Sequence, residues 1–192
     1  MTGAAAVFLD RDGTLNAATV RDGKPYPPAS LAELVILPGA REGLAALKAA
    51  GYRTIVVTNQ PDVATGKTPR DVVDAINAAM TAALALDDVR VCWHVDADAC
   101  SCRKPKPGLL VDAARDWRID LARSFMVGDR WRDVEAGRNA GCRTVLIESG
   151  YAEKQVPADF SVSSIAEACT MILAAPKQAR ATSGGLRHAD GG

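Results

Sequence analysis

The sequence predicts a doubly wound α/β fold, a parallel sheet with helices on both faces, on three observations. Short apolar, β-branched runs alternate along the chain with longer segments whose apolar residues recur every three or four positions. Right-handed strand-helix-strand crossovers produce that alternation. The short runs, VFL at 7–9, TIVVT at 54–58, FMV at 125–127 and RTVLI at 143–147, are apolar nearly throughout, as strands covered on both faces are. Several end in Asp, Thr or Gly-Asp, which places polar groups at the carboxyl edge of the sheet, where open α/β folds bind ligands.

Composition narrows the function. A chain of 192 residues with 48% hydrophobic residues suits one domain, expected over residues 1–175 and followed by a polar tail at 176–192. Its 23 basic and 23 acidic residues cancel, so no global field draws it to nucleic acid or an anionic membrane. The expected partner is a small soluble molecule. No apolar run approaches the roughly 18 residues of a membrane span, and a cytoplasmic monomer is expected. Five cysteines, three of them within eleven residues, suggest metal binding and not a disulfide framework.

In chain order, residues 4–9 form the first strand and deliver Asp10 and Asp12 at its end, with Gly13 free to turn the chain away. Two adjacent carboxylates repel and call for a cation or a shared proton. Residues 17–30, rich in Pro, Gly and charge, are expected as a loop over the site, and 31–37 as a short strand. A helix follows over 40–50, closed by Gly51. The strand at 54–58 ends in Thr58-Asn59-Gln60, a hydroxyl and amides suited to phosphate oxygens. Residues 61–67 are expected as loop. Thr68-Pro69-Arg70-Asp71 then opens a helix whose core stripe is Val72, Ile76, Met80 and Leu84.

The strand at 89–93 leads into Cys92, His94, Cys100 and Cys102, three thiols and an imidazole spaced Cys-x-His-x5-Cys-x-Cys. Four such ligands fill the tetrahedral shell of Zn²⁺ and leave no open position, so the metal is expected to be structural and to pin the loop at 92–103. Cys142 and Cys169, in apolar surroundings, are expected in the core. Arg103 and Lys104, stiffened by Pro105 and Pro107, hold cations just beyond the zinc loop. A helix at 108–117, the strand at 125–127 ending in Gly128-Asp129-Arg130, a helix to Ala140, the strand at 143–147 and a helix at 164–175 complete the pattern. In a doubly wound sheet Asp10, Asp12, Thr58 and Asp129 emerge at one edge, with Lys104 beside them. Three carboxylates for Mg²⁺ next to Thr58 and Lys104 for a dianion amount to equipment for phosphoryl transfer.

The segments FLDRDGT, VVTNQ, CRKPKPG and VGDRWRD, in this order, resemble the four motifs of the haloacid dehalogenase (HAD) superfamily of phosphatases. The zinc insertion resembles the branch that holds heptose bisphosphate and histidinol phosphate phosphatases, which lack a large cap domain. The resemblance implies Asp10 as nucleophile, Asp12 as acid and base, and Mg²⁺ held by Asp10, Asp12 through its main-chain carbonyl, and Asp129. It further implies Thr58, Asn59, Gln60 and Lys104 around the phosphoryl group, Arg103 and Arg130 toward substrate, and Asp133 orienting the waters of the metal. A heptose bisphosphate is the favoured substrate and histidinol phosphate the alternative; a non-catalytic phosphometabolite-binding module is the reading from another class. Three features depart from the heptose enzymes: Arg130 stands where Lys is usual, Pro61-Asp62-Val63-Ala64-Thr65-Gly66 replaces Ser-Gly-Ile-Ala-Arg-Gly, and the stretch at 17–30 is longer.

Overall fold

The structure, a computed structural model, describes residues 3–176. Its strands and helices are β1 (Ala6–Leu9), β2 (Thr19–Arg21), β3 (Lys24–Tyr26), α1 (Ala40–Ala49), β4 (Arg53–Asn59), α2 (Pro61–Ala64), α3 (Arg70–Leu84) and β5 (Asp88–Cys92), then α4 (Gly108–Trp117), β6 (Phe125–Gly128), α5 (Trp131–Ala140), β7 (Arg143–Ile147), β8 (Phe160–Val162) and α6 (Ile165–Ala174). Six strands form one parallel sheet in the order β5-β4-β1-β6-β7-β8. The chain winds outward from β1 to β4 and β5, then returns to β6 on the other side of β1. The reversal therefore falls between β1 and β6, and its crevice opens beyond their carboxyl ends. Leu9 pairs with Val56 on one side and Val127 on the other, so the residues that follow each strand come out side by side.

Strand alternation builds two cores. Val7, Leu9, Phe125 and Val127 pack with Leu44 and Leu47 of α1, Ile76 and Met80 of α3, and Ile172 of α6. Ala6, Phe8, Ile55 and Met126 face the other way onto Leu110 and Ala113 of α4 and Ala136 of α5. Both faces are covered, which is why these strands read as continuous apolar runs. Cys142 and Cys169 are buried in these layers, as expected.

Four local expectations are corrected. Residues 17–30 contain the β2-β3 hairpin: Asp22 and Gly23, at φ 50° and 70°, make the two-residue turn that an Asp-Gly pair favours. Residues 31–37 hold no strand; Leu31–Glu33 is a 3-10 turn, and Ile36 makes a single antiparallel bridge to Asn16. Residues 61–67 begin with the one-turn helix α2, started by Pro61, whose missing N–H costs nothing at a first helical position. Pro69, not Thr68, caps α3, and the buried stripe of that helix runs through Val73 and not Val72. β8 was not anticipated; it is a three-residue edge strand anchored where the Asp159 carboxylate accepts the main-chain and hydroxyl donors of Thr144 at 2.8 and 2.9 Å. The helix expected at 164–175 is α6, with the Ser164 hydroxyl accepting from the Glu167 N–H. The polar tail beyond Pro176 lies outside the described residues.

Candidate active site

Asp10 leaves β1 with its N–H donating to the Val127 carbonyl at 2.9 Å, which fixes its main chain to β6. Its carboxylate, together with those of Asp129 and Asp133, forms a group whose ligand atoms lie within 4.8 Å of one another, all three residues buried. Gly13 and Gly128 permit this crowding. A β-carbon on Gly13, at φ 90°, would sit 1.9 Å from Asp129 Oδ2, and one on Gly128 would meet Asp133 at 2.3 Å. The Lys104 ammonium is wedged among the acids, 2.6 Å from both Asp10 Oδ1 and Asp133 Oδ1, and also donates to the Val57 carbonyl at 2.7 Å.

Burial pushes the Asp10 carboxyl up to about 6, with Lys104 pulling down and Asp133 and Asp12 pushing up. Burial, then Asp10 and Asp133, hold Asp129 well above the ordinary carboxylate range. For Lys104, burial works against the charge, but Asp10 and Asp133 outweigh it and the pKa is raised. Both oxygens of Asp129 are buried without a hydrogen bond of good geometry, although the Tyr151 hydroxyl stands close by. One ammonium does not neutralise three buried carboxylates, and two orphaned oxygens at the carboxyl edge are the ligands a hard divalent cation takes. Separations within 4.8 Å agree with ligand oxygens about 2.1 Å from Mg²⁺, which stand roughly 3.0 to 4.2 Å apart.

The other residues named from the sequence divide into those that line the cleft and those that brace it. The cleft measures about 380 Å³, enough for a small metabolite, and its wall includes Asp10, Asp12, Thr58, Asn59, Gln60, Lys104, Arg130 and Asp133. Asn59 clamps the main chain of Lys104, its amide donating to the Lys104 carbonyl and accepting from the Lys104 N–H, both at 3.1 Å. Gln60 Nε2 donates to Thr58 Oγ1 at 2.9 Å and to Asp12 Oδ2 at 2.8 Å. Arg130 pairs with Glu153, Nε donating to Oε2 at 3.1 Å, while its N–H donates to Asp133 Oδ2 at 3.1 Å at the start of α5. Arg103, expected toward substrate, does not line the cleft; it turns to the loop at 92–103, donating to Asp96 Oδ1 at 2.8 Å and the His94 carbonyl at 3.2 Å. Arg132 takes a place in the cleft wall, donating to the Lys104 carbonyl at 3.3 Å. The sequence reading missed Arg132, Glu153 and Tyr26 there. Arg132 sits one turn inside a motif already singled out, whereas nothing local marks Glu153, which folds back from a loop 23 residues after Arg130.

Cys92, His94, Cys100 and Cys102 converge with their ligand atoms within 4.8 Å. The Sγ of Cys102 lies 3.2 Å from that of Cys92, 3.3 Å from that of Cys100 and 3.3 Å from His94 Nδ1. Tetrahedral zinc with bonds of about 2.3 Å sets its ligands roughly 3.7 Å apart, so the donor set and spacing fit that ion. Burial pushes the Cys92 thiol up to about 12, and a thiolate there requires a cation. The loop is tied to the cleft through the Gln60 N–H, which donates to the Cys92 carbonyl at 2.8 Å, and through the Lys106 ammonium, which donates to the Ala99 and Cys100 carbonyls.

A parallel sheet with a carboxylate cluster at its switch point, a buried lysine against it and, among the described residues, no large cap defines a phosphatase of the haloacid dehalogenase superfamily, and the chain belongs to that superfamily. The HAD-hydrolase-like family model matches residues 101–168. Among named relatives the chain is similar to the D-glycero-β-D-manno-heptose-1,7-bisphosphate 7-phosphatases of Bordetella bronchiseptica, at 36% identity over 77% of this chain and 83% of that protein, and of Pasteurella multocida, at 36% over 84% and 93%. Among solved structures it resembles the D,D-heptose 1,7-bisphosphate phosphatase of B. bronchiseptica complexed with magnesium and phosphate, with a TM-score of 0.77, 32% identity and coverage of 88% of this chain and 98% of that one. The corresponding Burkholderia thailandensis enzyme gives a TM-score of 0.63 at 27% identity over 89% and 99%.

Proposed function

We propose that the chain is a Mg²⁺-dependent phosphomonoesterase that forms an aspartyl-phosphate on Asp10 and takes D-glycero-β-D-manno-heptose 1,7-bisphosphate as substrate, releasing the 7-phosphate. The observation that carries the reading is the buried group of Asp10, Asp129 and Asp133 at the switch point, with Lys104 wedged into it. Names and structures of the relatives support the substrate. Residues 1–175 act as one phosphatase domain, a monomer in the cytoplasm; five unpaired cysteines, three of them in the metal cluster, support a reducing compartment.

The carboxylates of Asp10, Asp129 and Asp133 and the main-chain carbonyl of Asp12 would hold Mg²⁺. Bound there, Mg²⁺ supplies the positive charge that lets a phosphoryl dianion approach a carboxylate nucleophile. Lys104 keeps Asp10 ionised and oriented while adding charge toward the transferring oxygens. An Asp10 oxygen forms a bond to phosphorus as the ester P–O bond breaks, and the departing oxygen takes its proton from Asp12. Water then attacks the phosphorus, gives its proton to Asp12, and phosphate leaves with Asp10 regenerated. Thr58 and Gln60 line the phosphoryl side of the cleft, and Asn59 acts through Lys104. Cys92, His94, Cys100 and Cys102 would hold structural Zn²⁺, which fixes the loop that carries Lys104.

A second substrate, histidinol phosphate, is favoured by one observation. Asp62 adds a carboxylate to the cleft wall, and Arg130 there is paired with Glu153, so the wall also offers a partner for a cationic amine. Turnover of p-nitrophenyl phosphate with Mg²⁺, abolished in Asp10→Asn, tests the reaction, and kcat/KM across phosphorylated heptoses, hexoses and histidinol tests the substrate. A folded, metal-loaded protein inactive on all of them would favour a non-catalytic binding module instead.

A further inference from the structure

Asp12 is held by a relay that runs through the buried Arg11 to Asn77 on α3. Its carboxylate accepts from Arg11 Nε, at 3.1 Å to each oxygen, from Arg11 Nη2 at 2.9 Å, from Asn16 Nδ2 at 3.0 Å and from Gln60 Nε2 at 2.8 Å. Arg11 is the largest fully buried side chain among the described residues, at 1% exposure, and its remaining nitrogen, Nη1, donates to Asn77 Oδ1 at 2.9 Å. Asn77 itself is buried on the core face of α3, next to Ile76, one turn before Met80 and two before Leu84. An amide in that stripe forgoes the apolar burial its neighbours gain.

A buried ion pair such as Arg11–Asp12 contributes little net stability, because desolvation of both charges offsets their attraction. What it supplies is orientation. Arg11 can grip Asp12 through two nitrogens only while its planar guanidinium is held at the right tilt, and Asn77 is the group that fixes the third nitrogen.

We propose that Asn77 is a positioning residue for the acid-base step, acting through Arg11 to aim the Asp12 carboxylate at the leaving-group oxygen. The inference rests on the phosphatase reading and on Asp12 as the proton donor. It makes Asn77 important only where a proton must be delivered. Cleavage of an alkyl phosphate needs that proton, since an alkoxide is a poor leaving group, whereas dinitrophenolate departs without one.

Single-turnover experiments with enzyme in excess isolate the first bond cleavage from the later hydrolysis of the phosphoenzyme. In Asn77→Leu and Asn77→Ala we expect release of the sugar from heptose 1,7-bisphosphate to slow about tenfold or more, with half-saturation unchanged. Release of dinitrophenolate from 2,4-dinitrophenyl phosphate should stay within about threefold of the parent. Asn77→Asp, which keeps an acceptor oxygen for Arg11, should restore sugar release to within about threefold. If Asn77→Leu does not fold, the Ala and Asp variants carry the comparison. Equal slowing of both substrates, or of neither, overturns the proposal, as does an Asp variant no faster on the sugar than the Ala variant. A parent enzyme that cleaves neither substrate would instead count against the phosphatase reading.

Discussion

Replacing Lys104 by Met keeps most of the side-chain length and removes one charge from a place where charge is scarce. The ammonium lies 2.6 Å from two buried carboxylates and is itself 2% exposed. Withdrawing one partner from a buried, hydrogen-bonded ionic group costs about 3 to 5 kcal/mol, because the charges left behind stay desolvated. In a chain of this size each kcal/mol moves Tm by roughly 2 to 4 °C, so Tm should fall by about 6 to 20 °C. The loss should depend on pH, with a definite sign. Asp10 has a folded-state pKa of about 6 against 3.8 when unperturbed, so its contribution to stability is present below about pH 4 and lost as pH rises through 6. That difference corresponds to roughly 3 kcal/mol by the usual conversion. Without Lys104, which lowers the pKa of Asp10, this window extends to higher pH. Thermal melts followed by circular dichroism in magnesium-free buffer, with zinc retained, at about pH 5 and pH 7.5 provide the assay. The gap between parent and variant should be wide at the higher pH and narrow at the lower. A variant within about 1 kcal/mol of the parent at pH 7.5, or a gap independent of pH, would refute the reasoning.

Gly13→Ala forces a β-carbon to within 1.9 Å of Asp129 Oδ2 in a positive-φ conformation. We expect a stability loss of about 1 to 3 kcal/mol from the strained backbone and a drop in kcat near 10²-fold from the displaced carboxylate, and a parent-like Mg²⁺-induced thermal shift would contradict this. The thermal shift of the parent should itself shrink from pH 7.5 to pH 5, because Asp10, pushed up to about 6, must lose a proton to bind the cation; roughly tenfold weaker Mg²⁺ affinity is the expected size, read by titration calorimetry. Metal analysis should find one zinc per chain, and Cys100→Ser should lower that content, expose the 92–103 loop to protease and reduce kcat through Lys104. A folded parent without zinc would remove the basis for that expectation.

Much of the site could be read from the sequence because its residues follow strands whose identity is local. Asp10 and Asp129 follow apolar runs too short to be helices and lie close to a glycine, and the four candidate metal ligands at 92–102 are close in sequence. What was not legible depends on contacts across the fold. The resemblance alone places Asp133 near the metal; it sits in a helix, and the approach of its carboxylate over Gly128 is what brings it into the cluster itself. Arg103 and Arg132 both reach Asp96, yet the His94 carbonyl takes a second bond from the first, outside the cleft, while the Lys104 carbonyl takes one from the second at its wall. Asn77 looks like an ordinary helix position, and its meaning comes from an arginine 66 residues earlier. The β2-β3 hairpin is a different case, since Asp22-Gly23 was a turn signal masked by the prolines around it.

The chemistry assigned to Asp10 can be observed directly by stopping turnover with acid after milliseconds and reducing the protein with borohydride, which converts an acyl phosphate at an aspartate into homoserine. Peptide mass spectrometry should then find a loss of about 14 mass units at residue 10 that requires both substrate and Mg²⁺. Active enzyme that never shows this mark, or that shows it on a different carboxylate, would contradict the assignment of Asp10 as the residue that takes the phosphoryl group.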